Sequence, residues 1–351
     1  MIYLDKNENQ YGPSEKCREV LQNITLEMFN SYSRGYPKII TNRLSKEFGV
    51  PPENILLGYG AEDLLKQAFY FFMKEGDKIL LPLQSWNYYT VIAKEINATR
   101  IYYTFIEKND RFEYDIKQIL NLISKEYPKI VLVCSPNNPT GTSINFSDFK
   151  KIVEESKKTN SIVILDEAYW GFENNSNKIL KLTTEYDNIL ILRTFSKIYG
   201  LAGVRIGFGF IGKGLQNLAL FNKRYLGFNR ISEELTFAAL DSKDYYKRIA
   251  KLIKKDKKRY YKLIKKFQDP EIKIYKSDAN FILIKLPEKY LKALRKTFEK
   301  EGVVVKFYEE EIFKNCIRIS IGTVEQNDVV ISLINETITK IKKGEEIEWM
   351  E

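Results

Sequence analysis

The chain contains no histidine at all. That absence excludes His-based zinc centres, Ser–His–Asp triads and Cys–His pairs in one step. Any acid–base chemistry must then run on lysine, tyrosine, a carboxylate or a cofactor. Cysteine is scarce too: Cys17, Cys134 and Cys316 are odd in number, widely separated and form no CxxC pair. They read as buried, reduced thiols in a cytoplasmic protein, with no metal site expected. No apolar run approaches the ~20 residues needed to span a bilayer. The opening MIYLDKNENQYGPS lacks a basic segment followed by an apolar one, so neither secretion nor a membrane partner is expected.

With 351 residues, 44% of them hydrophobic, the chain can bury a large core and has room for two domains. The net charge of +10 invites a nucleic-acid reading, above all at YYKRIAKLIKKDKKRYYKLIKKF, residues 245–267. Tyr245, Ile249, Leu252, Ile253, Tyr260, Ile264 and Phe267 recur there at spacings of three and four, with lysines filling the other face. This is the pattern of a long amphipathic helix with a solvated basic side, and no nucleic-acid partner is expected.

Four apolar runs follow one another in mid-chain: KIVLVCS, SIVILDEAY, NILILRT and RIGFGFI. Their unbroken Ile, Val and Leu suit strands buried on both faces, as in a parallel sheet. NFSDFKKIVEESKKTN between the first two predicts a helix capped by Ser147 or Asp148, which makes a βαβ unit. AEDLLKQAFYFFMKEG predicts an earlier helix ending at Gly76, followed by the strand KILLP. The fold class is therefore α/β: a large domain over residues 27–236 with a mostly parallel sheet flanked by helices. After the basic helix, IKIYKSDANFILIKL, a helix around 288–301, VVVKFY, NCIRISIG and a last helix from 325 predict a smaller α+β domain over 237–351. The amino-terminal arm, 1–26, joins it.

GFGFIG (Gly207, Gly209, Gly212) matches the dinucleotide fingerprint GxGxxG. That motif must follow a strand and open a helix. Here the glycines lie within the apolar run, which reads as a glycine-containing strand.

Four other segments belong together. SPNNPTG follows a buried strand, ILDEAY puts Asp166 at the carboxyl end of the next, TFSK puts Lys197 just past the third, and Arg205 comes soon after. Asn138, Asp166, Tyr169, Lys197 and Arg205 would emerge at one sheet edge, where α/β sheets bind ligands. Pyridoxal phosphate would give each a task. Lysine forms a Schiff base with an aldehyde, and an ionised aspartate keeps a pyridine nitrogen protonated. Tyrosine and asparagine can hydrogen-bond the phenolic oxygen, and arginine, hydroxyls and helix-start amides can hold the phosphate.

At these residues the sequence resembles the fold-type I pyridoxal-phosphate enzymes, and more narrowly the histidinol-phosphate aminotransferases and their relatives. The resemblance runs in order through NENQYGPS, RGYP, GYGAED, LPLQSWNYY, SPNNPTG, LDEAY, RTFSKIYGLAGVRIG, SDANF and CIRISIG. It implies Lys197 as the Schiff-base lysine, Asp166 at the pyridine nitrogen, and Asn138 and Tyr169 at the phenolic oxygen. Ala61, Glu62, Thr194, Ser196 and Arg205 would surround the phosphate, and Trp86 would stack on the ring. Tyr36 would reach the phosphate from the neighbouring subunit, which implies a homodimer with shared active sites. Arg318 would grip the substrate carboxylate, while Tyr11 either touches substrate or packs. Glu167 has no catalytic role in this reading. Lys306 stands where the family has an arginine for the substrate phosphate; it keeps the charge and loses the two-pronged geometry. Gln10 and Trp86 also depart from the family's usual proline and tyrosine. The implied activity is transamination by ping-pong chemistry from an amino donor, L-glutamate, to a small, phosphorylated carbonyl acceptor. The alternative is decarboxylation of a phosphorylated amino acid on the same fold.

Overall fold

The computed structural model describes residues 1–33, 38–173, 176–223 and 226–345. Its main sheet has seven strands, in the spatial order Ile55–Gly58, Gly207–Ile211, Ile189–Thr194, Ile162–Asp166, Ile130–Cys134, Lys78–Pro82 and Thr99–Tyr103. The last five run parallel. Gly207–Ile211 is antiparallel to both its neighbours, so the fourth apolar run departs from the parallel arrangement expected of it. Continuous hydrophobicity reports burial on two faces and is blind to strand direction.

Alternate side chains of each strand serve opposite faces. Leu132, Ile164 and Leu192 pack with Leu64, Leu65 and Phe69 of the helix Ala61–Phe72. Val131, Val133, Val163 and Leu165 pack with Phe149, Ile152 and Val153 of the helix Phe146–Lys158. That second helix is capped by Asn145, whose side chain accepts from the Asp148 amide at 2.9 Å. The cap therefore falls two or three residues before the expected Ser147 or Asp148. Helix Ala61–Phe72 likewise stops short of Gly76, which turns the chain at φ 82° toward the strand Lys78–Pro82.

A second, antiparallel sheet joins Lys273–Tyr275, Phe281–Lys285, Cys316–Ser320 and Lys306–Phe307. Helices Glu288–Lys300 and Val324–Lys343 belong to this part of the molecule. The run VVVKFY divides: Val303–Val304 pairs in parallel with Ile2–Tyr3, and Lys306–Phe307 joins the antiparallel sheet. The basic helix spans Lys243–Lys266 and buries Tyr246, Ile249, Ile253, Tyr260 and Ile264. Its charge pattern has one exception to a solvated basic face. Lys257 is buried, donating to the carbonyls of Ser277 and Ala279 and pairing with Glu173 at 2.8 Å. Among the described residues, no helix is long and apolar enough to cross a membrane.

Candidate active site

The parallel strands end together, and the antiparallel strand begins where they end. Asp166 closes one parallel strand and Lys197 stands three residues beyond another, while Arg205 precedes the antiparallel strand by two residues. Strand reversal is what brings Arg205 to the same edge, since Gly207 sits opposite both Thr194 and Gly58. A cavity of about 940 Å³ opens there, near the top of the roughly 300–1,000 Å³ typical of small-molecule sites.

Lys197 donates from Nζ to the carbonyl of Lys6 at 2.9 Å and lies 5.8 Å from the centre of the Tyr169 ring. Burial, then Arg318 and Arg205, push its amine down to about 8, against the opposing pull of Glu8 and Asp166. Asp166 is buried, which pushes its carboxyl up; hydrogen bonds from Tyr89 and the Ala168 amide, and the charge of Lys197, oppose that shift. Tyr169 Oη accepts from Asn7 Nδ2 at 2.9 Å, so its own proton is left to donate, and burial pushes its ionisation upward. Asn138 accepts through Oδ1 from Arg318 Nη1 at 2.5 Å, which leaves its amide N–H groups as donors.

Around Arg205 the backbone passes close. A Cβ on Gly60 (φ 88°) would lie 2.7 Å from Arg205 Nη2, and one on Gly207 would lie 2.4 Å from the Ala61 amide. Only glycine allows both approaches. Arg205 reaches Ser196 Oγ at 3.4 Å and the Glu62 carboxylate at 3.5 Å, and Thr194 and Ser196 hydroxyls are 2.9 Å apart. Ala61 and Glu62 open the helix Ala61–Phe72, whose first-turn amides have no intrahelical acceptor.

Arg318, on the strand Cys316–Ser320, is buried and also donates to the carbonyl of Asp5; its Nε has no hydrogen-bond partner. Lys306, beside it in register, lines the cavity with Tyr308 and Glu8. Trp86 lines the wall as well. Thus the cavity gathers every residue expected at the site except two. Tyr11 does not line it; its buried hydroxyl lies near Asp256 and Glu325, which fits the packing alternative. Tyr36 lies outside the described residues. Glu167 pairs with the buried Arg193 at 2.8 Å, away from the cavity lining.

Sequence reasoning assigned nothing to Asn7 or Tyr89, although both motifs holding them were noticed. Asn7, at φ 54°, is bonded to Tyr169, Ser320 and Asn280. Tyr89 donates to Asp166 Oδ2 at 2.8 Å. Its spacing from Trp86, three residues on a helix start, was the available signal.

A lysine amine, a buried aspartate and two arginines that line one cavity, on a mostly parallel sheet, define a class of enzyme that handles anionic amines or carbonyls through a lysine amine. The sequence profile of the family described as Aminotransferase class I and II matches residues 1–334, and the chain belongs to that family. It is 31% identical over 342 residues to the histidinol-phosphate aminotransferase of Methanocaldococcus jannaschii, covering 97% of this chain and 90% of the relative. It is 32% identical over 351 residues to histidinol-phosphate aminotransferase 2 of Archaeoglobus fulgidus, covering 96% and 93%. The crystal structure of the histidinol-phosphate aminotransferase from Sinorhizobium meliloti, in complex with pyridoxal-5'-phosphate, superposes with a TM-score of 0.87 at 21% identity, over 97% and 91% of the two chains. The chain is a pyridoxal-phosphate-dependent aminotransferase.

The donor set fits that cofactor. A guanidinium, two hydroxyls and first-turn amides suit a dianionic phosphate, and the unpartnered, buried Nε of Arg318 suits a further anionic oxygen.

Proposed function

We propose that the chain transfers the amino group of L-glutamate to a small phosphorylated carbonyl substrate by ping-pong chemistry. One observation carries the reading: a single cavity joins the lowered Lys197 amine to two guanidiniums, Arg205 and Arg318. The names of the relatives from Methanocaldococcus jannaschii and Archaeoglobus fulgidus support a phosphorylated substrate, as does Lys306 on the cavity wall.

When bound, pyridoxal 5'-phosphate supplies an aldehyde that takes up the amino group and a ring that draws electrons from the substrate carbon. Lys197 would hold the cofactor covalently, and its amine, when free, would move a proton at the substrate carbon. Asp166 would face the ring nitrogen as a carboxylate. Tyr169 and Asn138 would donate to the phenolic oxygen, and Trp86 would stack on the ring. Arg205, Thr194, Ser196 and the amides of Ala61 and Glu62 hold the phosphate. Arg318 takes the donor's carboxylate by a two-pronged contact, and Lys306 takes the acceptor's phosphate.

A homodimer with shared sites belongs to this reading. Leu26, Phe29 and Tyr32, with exposures of 84%, 66% and 69%, form an apolar stretch that a second copy would cover. The division into a large domain over 27–236, a small one over 237–351 and the arm 1–26 is supported by the two separate sheets and the pairing of Ile2–Tyr3 with Val303–Val304. Three free, buried cysteines agree with a cytoplasmic setting.

The test is the absorbance spectrum of the cofactor-loaded protein before and after L-glutamate, with no acceptor present. Conversion to the aminated cofactor, reversed by a phosphorylated keto compound, supports the reading. An unchanged spectrum, with carbon dioxide released from phosphorylated amino acids, would replace it by decarboxylation.

A further inference from the structure

Asp166 is 4% exposed, and both of its carboxylate oxygens are engaged. Oδ1 accepts from the Ala168 amide at 2.9 Å and Oδ2 from the Tyr89 hydroxyl at 2.8 Å. The first donor is backbone and comes with the turn. The second is a choice of side chain. Tyr89 is itself 2% exposed and stands in the first turn of the helix Tyr88–Glu95. Its ring meets Trp86 edge to face, with centroids 5.4 Å apart and planes at 83°. One residue therefore touches both the aromatic wall of the cavity and the carboxylate at its floor.

We propose that Tyr89 is a positioning residue for the reaction, holding Asp166 in its ionised form and so keeping the shared proton on the cofactor's ring nitrogen. The inference rests on Asp166 facing that nitrogen. Burial disfavours a carboxylate, and a hydroxyl donor opposes the effect. With the donor gone, the carboxylate gains proton affinity and the proton moves from the nitrogen to the oxygen. Burial pushes the Tyr89 hydroxyl far above its usual ionisation range, so it stays a donor.

The experiment loads the full-length protein with cofactor labelled with ¹⁵N in the ring and records the nitrogen resonance in wild type, Asp166→Asn, Tyr89→Phe and Tyr103→Phe. Tyr103 is the control: it is equally buried and donates to the Leu132 carbonyl at 3.1 Å instead of to a carboxylate. Tyr89→Phe should shift the resonance toward the unprotonated position and lower kcat about ten- to a hundredfold; Tyr103→Phe should do neither. Replacing Tyr89 by 3-fluorotyrosine, a stronger donor of nearly the same shape, should move the resonance the other way even if the phenylalanine variant folds poorly. If Asp166→Asn leaves the nitrogen protonated, the reading of Asp166 fails. If Asp166→Asn removes the proton while both Tyr89 replacements leave the resonance at its wild-type position, only the role of Tyr89 is overturned.

Discussion

Lys197 Nζ lies 2.9 Å from the carbonyl oxygen of Lys6, a hydrogen bond that spans 191 positions of sequence. The same amino-terminal segment gives the carbonyl of Asp5 to Arg318 and the amide of Asn7 to Tyr169. The arm that pairs with Val303–Val304 thus also supplies hydrogen-bond partners to three groups in the cavity.

The lowered amine of Lys197 sets a pH dependence. A value of about 8 leaves roughly a tenth of the amine unprotonated at pH 7, against under a thousandth for an ordinary lysine. The rate of cofactor attachment to cofactor-free protein, followed by absorbance, should rise with pH and level off above about 8. The linkage has a definite sign. Because the folded value lies below the ordinary 10.5, the unfolded chain binds more protons between these limits, so the lysine's penalty is full below pH 8 and fades as pH rises toward 10.5. Lys197→Ala should therefore abolish turnover while leaving the cofactor-free protein at least as heat-stable as wild type at pH 7.

Arg318 is expected to act mainly in binding the donor. Arg318→Lys keeps the charge and loses the fork that Nη1, Nη2 and the free Nε provide. Its KM for glutamate should rise by about ten- to a hundredfold. Steady-state kinetics with glutamate varied at saturating acceptor would read this directly.

On the proposed function, Lys306 distinguishes the two substrates. Lys306→Ala should weaken a phosphorylated acceptor by roughly tenfold or more in kcat/KM and leave the glutamate half-reaction within a few-fold of wild type. Lys306→Arg should retain or improve use of the phosphorylated acceptor, because a fork replaces a point charge.

The Arg193–Glu167 pair is a matter of stability. Arg193 is 1% exposed, lies 4.1 Å from the Trp170 ring and also donates to Asn177. Removing the carboxylate strands a buried guanidinium. Glu167→Ala should cost about 3 kcal/mol or more in denaturant unfolding, with kcat changed far less than by any substitution at Lys197.

Much of this site was legible because its residues sit at strand ends, and strands announce themselves as short apolar runs. Asp166 and Lys197 could be placed at one edge by that logic, and the ordered motifs added Arg205, Trp86 and Arg318. Three features were hidden for physical reasons. The antiparallel course of Gly207–Ile211 depends on sheet pairing that side-chain hydropathy does not encode. The burial of Lys257 depends on two carbonyls and Glu173, all distant in sequence. The contacts of Asn7 and Tyr89 are side-chain meetings across 162 and 77 positions, and for Tyr89 the spacing from Trp86 was the sole local hint.

The central claim is that Lys197 carries the cofactor, and one measurement reaches it most directly. The loaded protein is reduced with borohydride, digested, and the peptides are weighed by mass spectrometry. The cofactor's mass should be found on the peptide containing Lys197 and on no other. Finding it on another lysine, with Lys197 unmodified, would contradict the account.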